Sequence, residues 1–383
     1  MANTLTGLIG TIYKAADTVA RELVGFIPAV FKDSSADEVA KDQTITYPIV
    51  ATRSAADITP AATGPNPSGE TLGTGSMTIS KSRSVTFPWN GEEAASIKPV
   101  YEKVLEDQFA QAMRTLVNEI EVDLYLAAKR GASRAYGTAG TTPFGTAANF
   151  SDFAELLKIL KDNGAPTSDL HLVLNTTAST KILSVQSSLF KANEAGADSL
   201  LRTGRLGRVE GFDLHESAGI TTHVKGTGSG YLVDLVAGYV AGDTTVHVDT
   251  GTGTLLAGDH ILFQDDTNKY VINTGFAGDG DGDIVIGKPG LRAALADNKT
   301  VTIGANYLGS WGFDRNAIHL LTRLPLMPPG GDSADDSIVV TDPLSGLSFQ
   351  VNLYRQYHQV SFEVGIAWGV KAVKSDFIAT LLG

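Results

Sequence analysis

The sequence contains no cysteine, and this excludes several kinds of site. Disulfides, thiolate zinc sites, iron–sulfur clusters and cysteine nucleophiles all need thiols, so none of them is available to this chain. A chain without thiols is compatible with a reducing cytosol. The protein is therefore expected to fold on its hydrophobic core alone.

Positive charge and long apolar runs are also scarce. The chain has 30 Lys and Arg residues against 42 Asp and Glu residues, a formal net charge of −12, whereas a dedicated nucleic-acid binder shows a basic surface. The most apolar stretches, residues 23–31 and 231–241, are much shorter than the roughly 20 residues that cross a bilayer. The first ten residues lack the basic start of a signal peptide, so neither export nor membrane insertion is expected.

The chain is rich in apolar residues and in glycine. Its 383 residues are 43% hydrophobic, which predicts two or three domains, or one large one, with a buried core. The 41 glycines are about 11% of the chain, against a usual value of about 7%. This excess favours turns and β-structure over a helix bundle.

The N-terminal part predicts elements that protrude. Apolar residues at helical spacing predict an amphipathic helix over residues 5–31, which either docks on its own domain or packs on a neighbouring chain. Residues 42–50 and 77–87 alternate like strands around a segment of small residues, and predict a long extended hairpin over residues 55–88. A hairpin of this kind buries too little apolar surface to be stable alone, so it is either a flexible loop or a loop that rests on a partner.

The strongest helical pattern lies over residues 97–134. Pro99 suits the first turn of this helix, and Lys129, Arg130 and Arg134 place positive charge near its carboxyl end. About 35 residues at 1.5 Å each span roughly 50 Å. This exceeds the usual length of a globular helix and predicts a spine for an elongated molecule.

The middle of the chain alternates between helical and strand patterns. It predicts a compact α/β subdomain over 152–220, with a helix at 152–163 that begins in an Asp152/Glu155 capping box, a strand at 170–174, a helix at 177–190 and a strand pair around Gly211.

The rest of the chain reads as β-structure. Short alternating strands between Gly/Asp turns, including a turn at 278–283, predict a small inserted β-barrel or sandwich over 229–308. The C-terminal region then predicts strands at 338–340, 349–354, 360–364 and 368–373, and a short apolar tail at 376–382.

Two glycine- or acid-rich patterns suggest chemistry, and each misses a required residue. Residues 282–289 resemble a phosphate-binding loop, but Pro289 stands where a Ser or Thr must reach magnesium. Asp279, Asp281 and Asp283 suggest a calcium loop, but an EF-hand starting at Asp279 would need other residues at positions 284 and 290. A polar hairpin turn is expected there instead.

The histidines do not form a recognisable motif either. His215-Glu216 begins a zinc-protease pattern, but Gly219 stands where the second histidine is needed. His247 alternates with valines on a predicted strand and is expected to face solvent. No Gly-x-Ser-x-Gly elbow occurs in the sequence. We therefore predict no catalytic, cofactor-binding or metal-binding residue, no cofactor and no enzymatic activity.

The order of these elements resembles the tailed-phage major capsid proteins of the Hong Kong 97 fold, most narrowly the coat proteins of short-tailed Salmonella phages, whose fold carries an inserted β-barrel. The stretches that carry the resemblance are residues 153–157 (FAELL), 163–166 (NGAP) and 172–175 (LVLN), residues 206–217 (LGRVEGFDLHES), residues 362–373 with Gly365, Trp368 and Lys371, and residues 235–304 with 241–245 (AGDTT) and 258–259 (GD).

The resemblance implies an α+β, Hong Kong 97-type capsid fold with an inserted small β-barrel. It divides the chain into an N-terminal arm (1–41), an extended loop hairpin (42–92), the spine helix and first part of the peripheral domain (93–150), the first part of the axial domain (151–228), the inserted β-barrel domain (229–308), the second part of the axial domain (309–336) and the closing strands of the peripheral domain (337–383).

The resemblance also implies partners and a location. The chain would self-assemble as hexamers and pentamers into an icosahedral shell, with a scaffolding protein and a portal protein, around double-stranded DNA that it contacts without sequence specificity. It would be assembled in the host cytoplasm, belong to the virion and contact no membrane. The hairpin would lie across the next subunit and the arm would clamp a neighbour.

Specific contacts can be expected from these roles. Lys81 and Arg83, on the predicted hairpin, would meet acidic residues such as Glu92 and Glu93. A scaffold contact in the arm would use Asp17 or Glu22.

Two alternatives stay open at this stage. A cellular nanocompartment shell of the same fold would enclose an enzyme and would usually lack the inserted barrel. A non-viral β-rich protein, either an enzyme or a carbohydrate binder, would form no particles. Genome packaging separates the first two functions, and particle formation separates both of them from the third.

Overall fold

The computed structural model describes residues 8–21, 25–49, 55, 57–58, 60, 73–97, 100–186, 207–343 and 345–383. Within these residues the chain is a mixture of helices and strands, so the predicted α+β class is confirmed. The helices are α1 (Ile9–Arg21), α2 (Phe26–Ala29), α3 (Gly91–Ser96), α4 (Tyr101–Gly131), α5 (Ser151–Asp162) and α6 (Thr176–Val185). None of the described helices is both long enough and apolar enough to cross a membrane.

The described strands form two large sheets and one small ribbon. In chain order they are β1 (Phe31–Val39), β2 (Thr44–Ile49), β3 (Gly73–Thr78), β4 (Lys81–Asn90), β5 (Arg134–Tyr136), β6 (Leu170–Asn175), β7 (Arg208–Val209), β8 (Phe212–Ser217), β9 (Leu232–Val233), β10 (Thr245–Gly251), β11 (His260–Phe263), β12 (Lys269–Thr274), β13 (Gly280–Ile286), β14 (Val301–Ile303), β15 (Ser310–Asp314), β16 (Ile318–Pro325), β17 (Asp336–Thr341), β18 (Ser348–Gln356), β19 (Gln359–Ala372) and β20 (Ile378–Leu381).

The first large sheet is built around β19. β4 pairs along one side of this long strand, while β18 and β16 pair with successive parts of the other side. β17 extends the sheet beyond β18, and β1 adds a parallel strand beyond β16. The prediction of two separate strands at 360–364 and 368–373 is wrong, because the ladder between β19 and β4 runs without a break across Gly365.

The spine helix α4 packs across this first sheet. It has 31 residues and so spans about 46 Å. Its buried face includes Phe109, whose ring lies 5.1 Å from that of Phe87 on β4 and 5.4 Å from that of Phe362 on β19. The predicted helix is too long at its carboxyl end, since Arg134 belongs to β5 and pairs with β12 and β20. Pro99 lies outside the described residues.

The second large sheet joins the α/β subdomain to the inserted domain. β6 lies between β8 and β15, and β15 pairs in turn with β20. The predicted apolar tail at 376–382 therefore contains a buried strand, since β20 lies between β15 and β5. β5 also pairs with β12 of the inserted domain, through Lys269 and Ala135. The sheet thus crosses from one domain into the other.

The inserted domain is a nearly closed sheet, which supports the predicted small barrel in part. The strands follow the order β9, β10, β13, β12, β11 and β14, and a single bridge between Leu232 of β9 and Thr300, just before β14, joins the two ends of the sheet. Side chains such as Val246, Ile272 and Ile284 fill the interior. The expected turn at 278–283 is wrong in part, because Gly280–Ile286 is a full strand that pairs with β10.

The N-terminal arm folds back onto its own chain. The residues that α1 buries against α4 are Ile12, Ala15, Ala16 and Val19. The predicted single helix over residues 5–31 is wrong, because α2 is a separate short helix and the chain is extended from Val30 onward. Pro28 explains the break: it has no N–H, and its ring would clash with the carbonyl four residues earlier in a continuous helix.

Two predictions about the α/β subdomain need smaller corrections. The Asp152/Glu155 capping box does not form, because Asp152 instead accepts the backbone N–H of Phe144 at 2.6 Å. The helix expected at 177–190 is α6 as far as Val185, and residues 187–190 lie outside the described residues. Gly164, with φ +78°, follows the end of α5, since this left-handed conformation favours glycine.

Candidate functional site

The small two-stranded sheet, β2 with β3, lies in the region where a long hairpin was predicted; we call it the ribbon. Its second strand is Gly73–Thr78, whereas most of the strand predicted at 77–87 is β4 of the first sheet, so that part of the prediction is wrong. Its six residue pairs run from Thr44–Thr78 to Ile49–Gly73. The inward face of the ribbon carries Met77, which packs on Leu321 and Ala367 of the first sheet. Within the described part of the chain no third strand pairs with either edge of the ribbon. A strand edge without a neighbouring strand can pair with another chain, although the Ser76 carbonyl already accepts a hydrogen bond from Lys371 Nζ at 2.7 Å.

The base of the ribbon is closed by backbone hydrogen bonds. Ile79 N–H donates to the carbonyl of Gln43 at 3.0 Å, and Asp42 N–H donates to the carbonyl of Ile79 at 2.8 Å. Gly369 of β19 lies directly beneath, since a Cβ added there would be 2.1 Å from the carbonyl oxygen of Thr78. The position of the ribbon is thus fixed by the first sheet.

Lys81 and Arg83 lie on β4, not on the ribbon, and they contact α4 of the same chain. Lys81 Nζ lies 2.8 Å from Asp123 Oδ1, and Arg83 Nε lies 3.3 Å from Glu119 Oε2. Within this chain Glu92 and Glu93 lie on α3 and are not the partners of Lys81 and Arg83. The register of β4 on β19 places the two cations over the spine helix instead.

Asp123 also holds a buried tryptophan. Its Oδ2 accepts the Nε1–H of Trp368 at 2.8 Å, and the Trp368 side chain is fully buried. The carboxylate therefore links β4, through Lys81, to β19. A buried indole N–H needs such an acceptor, because leaving it unpaired costs about 1–3 kcal/mol.

Glu121, two residues before Asp123, anchors the arm. Its carboxylate accepts the backbone N–H of Phe26 at 2.9 Å and of Ile27 at 3.1 Å, which are the first N–H groups of α2. The side chain is 2% exposed. Burial raises the pKa of Glu121, and hydrogen bonds from Phe26, Ser217 and Ile27 offset this only in part. An acidic residue within an apolar helical face is the one sequence feature that could have indicated this role.

A second cluster lies on the sheet of the α/β subdomain and was not predicted. His171 of β6 is buried, and its Nδ1 lies 3.0 Å from Nε2 of His215 on β8. Its Nε2 lies 2.9 Å from Asp169 Oδ1 and 3.0 Å from Arg315 Nη2. Asp213, the register partner of His171, completes the cluster. Parallel pairing of β6 with β8 creates this arrangement from residues far apart in sequence.

Burial and neighbouring charges lower the pKa values of three residues in this cluster. Burial lowers the pKa of His215 to about 4, and the neighbouring His171 adds to the shift. Burial and the Arg315 guanidinium lower the pKa of His171. Burial raises the pKa of Asp169, but Arg315 and His171 outweigh it and leave the pKa lowered. Both histidines are therefore neutral at pH 7.

A third cluster closes the neck of the inserted barrel. His223 and Tyr307, on the two chain segments that enter and leave the barrel, pair through their backbones. His223 Nε2 lies 2.7 Å from the buried Asp259 Oδ1, which also accepts the N–H of Gly226. Burial lowers the pKa of the adjacent His260 to about 4, with Lys269 adding to the shift. These contacts hold the barrel to the rest of the chain.

The acidic residues considered for calcium lie near His247 on the outside of the barrel. Asp281 and Asp283 each lie 2.6 Å from a different ring nitrogen of His247, so they face opposite sides of the imidazole. Asp279 instead accepts the N–H of Gly253 at 2.6 Å. The His247 side chain is about one third exposed, in agreement with its predicted solvent-facing position. The three carboxylates do not converge on one point.

Comparison with known proteins gives matches only among solved structures. No protein-family model and no curated protein matches the sequence. The capsid structure of cyanophage P-SCSP1u is 10% identical, with a TM-score of 0.49 over 94% of this chain and 88% of that chain. The cyanophage A-1(L) capsid is 10% identical, with a TM-score of 0.47 over 96% and 92%.

A virus-like particle from Pyrococcus furiosus is also 10% identical, with a TM-score of 0.44 over 97% of this chain and 98% of that chain. Each of these structures aligns with most of this chain at low sequence identity.

Proposed function

We propose that the protein is a major capsid protein that assembles with copies of itself into an icosahedral shell around double-stranded DNA. The observation that carries this proposal is the ribbon. Its two strands pair with each other, and within the described residues no other strand covers their edges. A two-stranded ribbon is marginally stable alone, so a neighbouring copy of the chain is the expected partner.

The outward face of the ribbon fits a partner of this kind. Its side chains are short and hydroxyl-bearing, and include the exposed Thr44, Thr46, Ser76 and Thr78. Short side chains let another backbone approach closely. The inward face is anchored through Met77, so the ribbon reaches its partner from a fixed base.

The finer assignments follow from this proposal. The shell would consist of hexamers and pentamers, assemble in the host cytoplasm with a scaffolding protein and a portal protein, and become part of the virion. The net charge of −12 suits a DNA container, since a basic lining would bind the genome too tightly. The division into arm, extended loop, spine, axial, inserted and peripheral regions is retained, and the role is structural rather than enzymatic.

Electron microscopy of the purified protein tests the proposal. The protein would be produced with and without its scaffolding partner and imaged after size-exclusion chromatography. Closed shells of uniform size are expected, and shells from infected cells should contain DNA. A well-behaved monomer under both conditions would contradict the proposal. Shells that enclose an enzyme and no genome would favour a cellular nanocompartment.

Excision of the ribbon gives a sharper test. The hydrogen bonds at its base place Gln43 next to Ile79, so an Asn-Gly turn can replace residues 44–78. The variant is expected to fold, as judged by circular dichroism and cooperative unfolding, and to form no shells. The matched control is Arg83→Gln, which removes an exposed ion pair outside the ribbon and should leave assembly unchanged. Normal shells from the excised variant would refute the role of the ribbon.

A further inference from the structure

We propose that Asp169, His171 and Asp213 form a binding site for a divalent transition-metal cation, with Zn²⁺ as the probe. One ligand atom from each of the three residues lies within 4.8 Å of the other two. Imidazole and carboxylate are ligands that zinc accepts, and three protein ligands plus water is a common zinc arrangement. The site is separate from the ribbon, and the proposal goes beyond shell assembly.

The first argument is a conflict at His171 Nε2. This atom lies 2.9 Å from Asp169 Oδ1, which needs an N–H, and 3.0 Å from Arg315 Nη2, which has only N–H to offer. A ring nitrogen carries either a proton or a lone pair, so the two contacts cannot both be hydrogen bonds. A cation in the place of the guanidinium resolves the conflict, because it accepts lone pairs from both the nitrogen and the carboxylate.

The three ligand atoms could meet one ion after small side-chain movements. Zinc lies about 2.0–2.2 Å from nitrogen and oxygen ligands, so two ligands of a tetrahedral site are about 3.4 Å apart. The observed separation of 2.9 Å between Asp169 Oδ1 and His171 Nε2 is a hydrogen-bond distance, so these two atoms would move about 0.5 Å apart on binding. Asp213 stands opposite His171 in the parallel pairing of β6 with β8, with its carboxylate within 4.8 Å of the other two ligand atoms.

His215 acts as a positioning residue. Its Nε2 accepts a hydrogen bond from His171 Nδ1–H when His171 Nε2 holds a lone pair for the metal. A hydrogen bond at the second nitrogen is the usual way in which a ligating histidine is oriented. His171 itself is 2% exposed, so its ring has little freedom to turn away.

Arg315 is the group that the cation would displace. Its Nε lies 2.7 Å from Asp169 Oδ2, yet this buried Nε has no hydrogen bond of acceptable geometry. The side chain is about 38% exposed, so its guanidinium can swing into solvent. Removing Arg315 should therefore strengthen metal binding, whereas removing a ligand should weaken it.

Equilibrium dialysis of the unassembled full-length chain against Zn²⁺ tests the site, so the result does not depend on shell formation. Wild type should bind one Zn²⁺ per chain. D213N, which keeps the side-chain shape, should lower the affinity at least tenfold. R315Q should raise the affinity severalfold, and this gain cannot arise from a folding defect. The absorption bands of bound Co²⁺ should be lost in D213N and retained in R315Q.

The matched control is H247N, since His247 with Asp281 and Asp283 is the other acid–histidine cluster on the surface. H247N should bind Zn²⁺ like wild type. Failure of both wild type and R315Q to bind Zn²⁺ would overturn the proposal. Equal affinity of D213N and wild type, or loss of binding in H247N, would overturn it as well.

Discussion

The contact of Glu121 with α2 predicts a large and specific loss of stability on truncation. Glu121→Ala would leave the N–H groups of Phe26 and Ile27 buried without acceptors. Each such group costs about 1–3 kcal/mol, so the free energy of unfolding should fall by about 2–6 kcal/mol. Glu121→Gln keeps one acceptor oxygen and should lose about half as much.

Urea denaturation measures this effect, and hydrogen exchange locates it. The urea concentration at the unfolding midpoint should decrease in the order wild type, E121Q, E121A, with little change in the dependence of the unfolding free energy on urea concentration. The peptide that contains Phe26 and Ile27 should lose protection in the same order. The matched control is Glu119→Gln on the same helix, which removes only the half-exposed pair with Arg83 and should cost 1 kcal/mol or less.

The pH dependence gives an independent check on Glu121. Because burial raises its folded-state pKa, the folded chain holds this proton more tightly than the unfolded chain. The contribution of Glu121 to stability is therefore fully present below its unfolded pKa and is lost as the pH rises through the raised value. E121Q should lack this dependence. Unchanged midpoints and unchanged exchange in both variants would refute the assignment of Glu121 as the cap of α2.

Three further predictions follow from single contacts. Asp123→Ala removes the acceptor of the buried Trp368 N–H and should lower the free energy of unfolding by about 1–3 kcal/mol in urea titrations. Gly369→Ala places a methyl group against the Thr78 carbonyl and should accelerate hydrogen exchange at the base of the ribbon without abolishing folding. Burial lowers the folded-state pKa of His260 from 6.5 to about 4, so on acidification the unfolded chain takes up this proton before the folded chain does. His260 therefore destabilises the folded state as the pH falls from about 6.5 to about 4. Across that interval, the urea midpoint of His260→Gln should decrease less than that of wild type.

Local sequence patterns predicted the elements that carry their own periodicity. The face of α4 formed by Phe109, Met113, Leu116, Ile120 and Leu124 is buried as the helical spacing indicates. The apolar run of β6 and the alternation of apolar residues in the barrel strands likewise predicted strands. In each case the pattern lies within a few residues, so no knowledge of the partner was needed.

Elements whose structure depends on a distant partner could not be predicted in this way. β1, with the sequence FKDSSADEV, shows almost no alternation and becomes a strand because β16 offers a parallel edge. β20 is only four residues long and reads as a tail, yet it lies at the centre of the second sheet. Pairing with strands that are distant in sequence determines both outcomes, and periodicity carries no information about it.

The same limit applies to side-chain contacts. Lys81 and Arg83 were recognised as charges that need acidic partners, and those partners were expected on a neighbouring copy. The partners that they have within the chain, Asp123 and Glu119, are about 40 residues away, and no local pattern connects them. The cluster at His171 likewise required the register of β6 on β8, which the sequence does not specify.

Three acidic residues close together on the spine helix hold β4 and the arm. Residues four apart share a face of a helix, so Glu119 and Asp123 both point toward β4, while Glu121 points away from them toward α2. β4 begins two residues after the base of the ribbon at Ile79. One short segment of α4 therefore holds the arm on one side and β4 on the other, which gives these two elements a fixed relation within the chain.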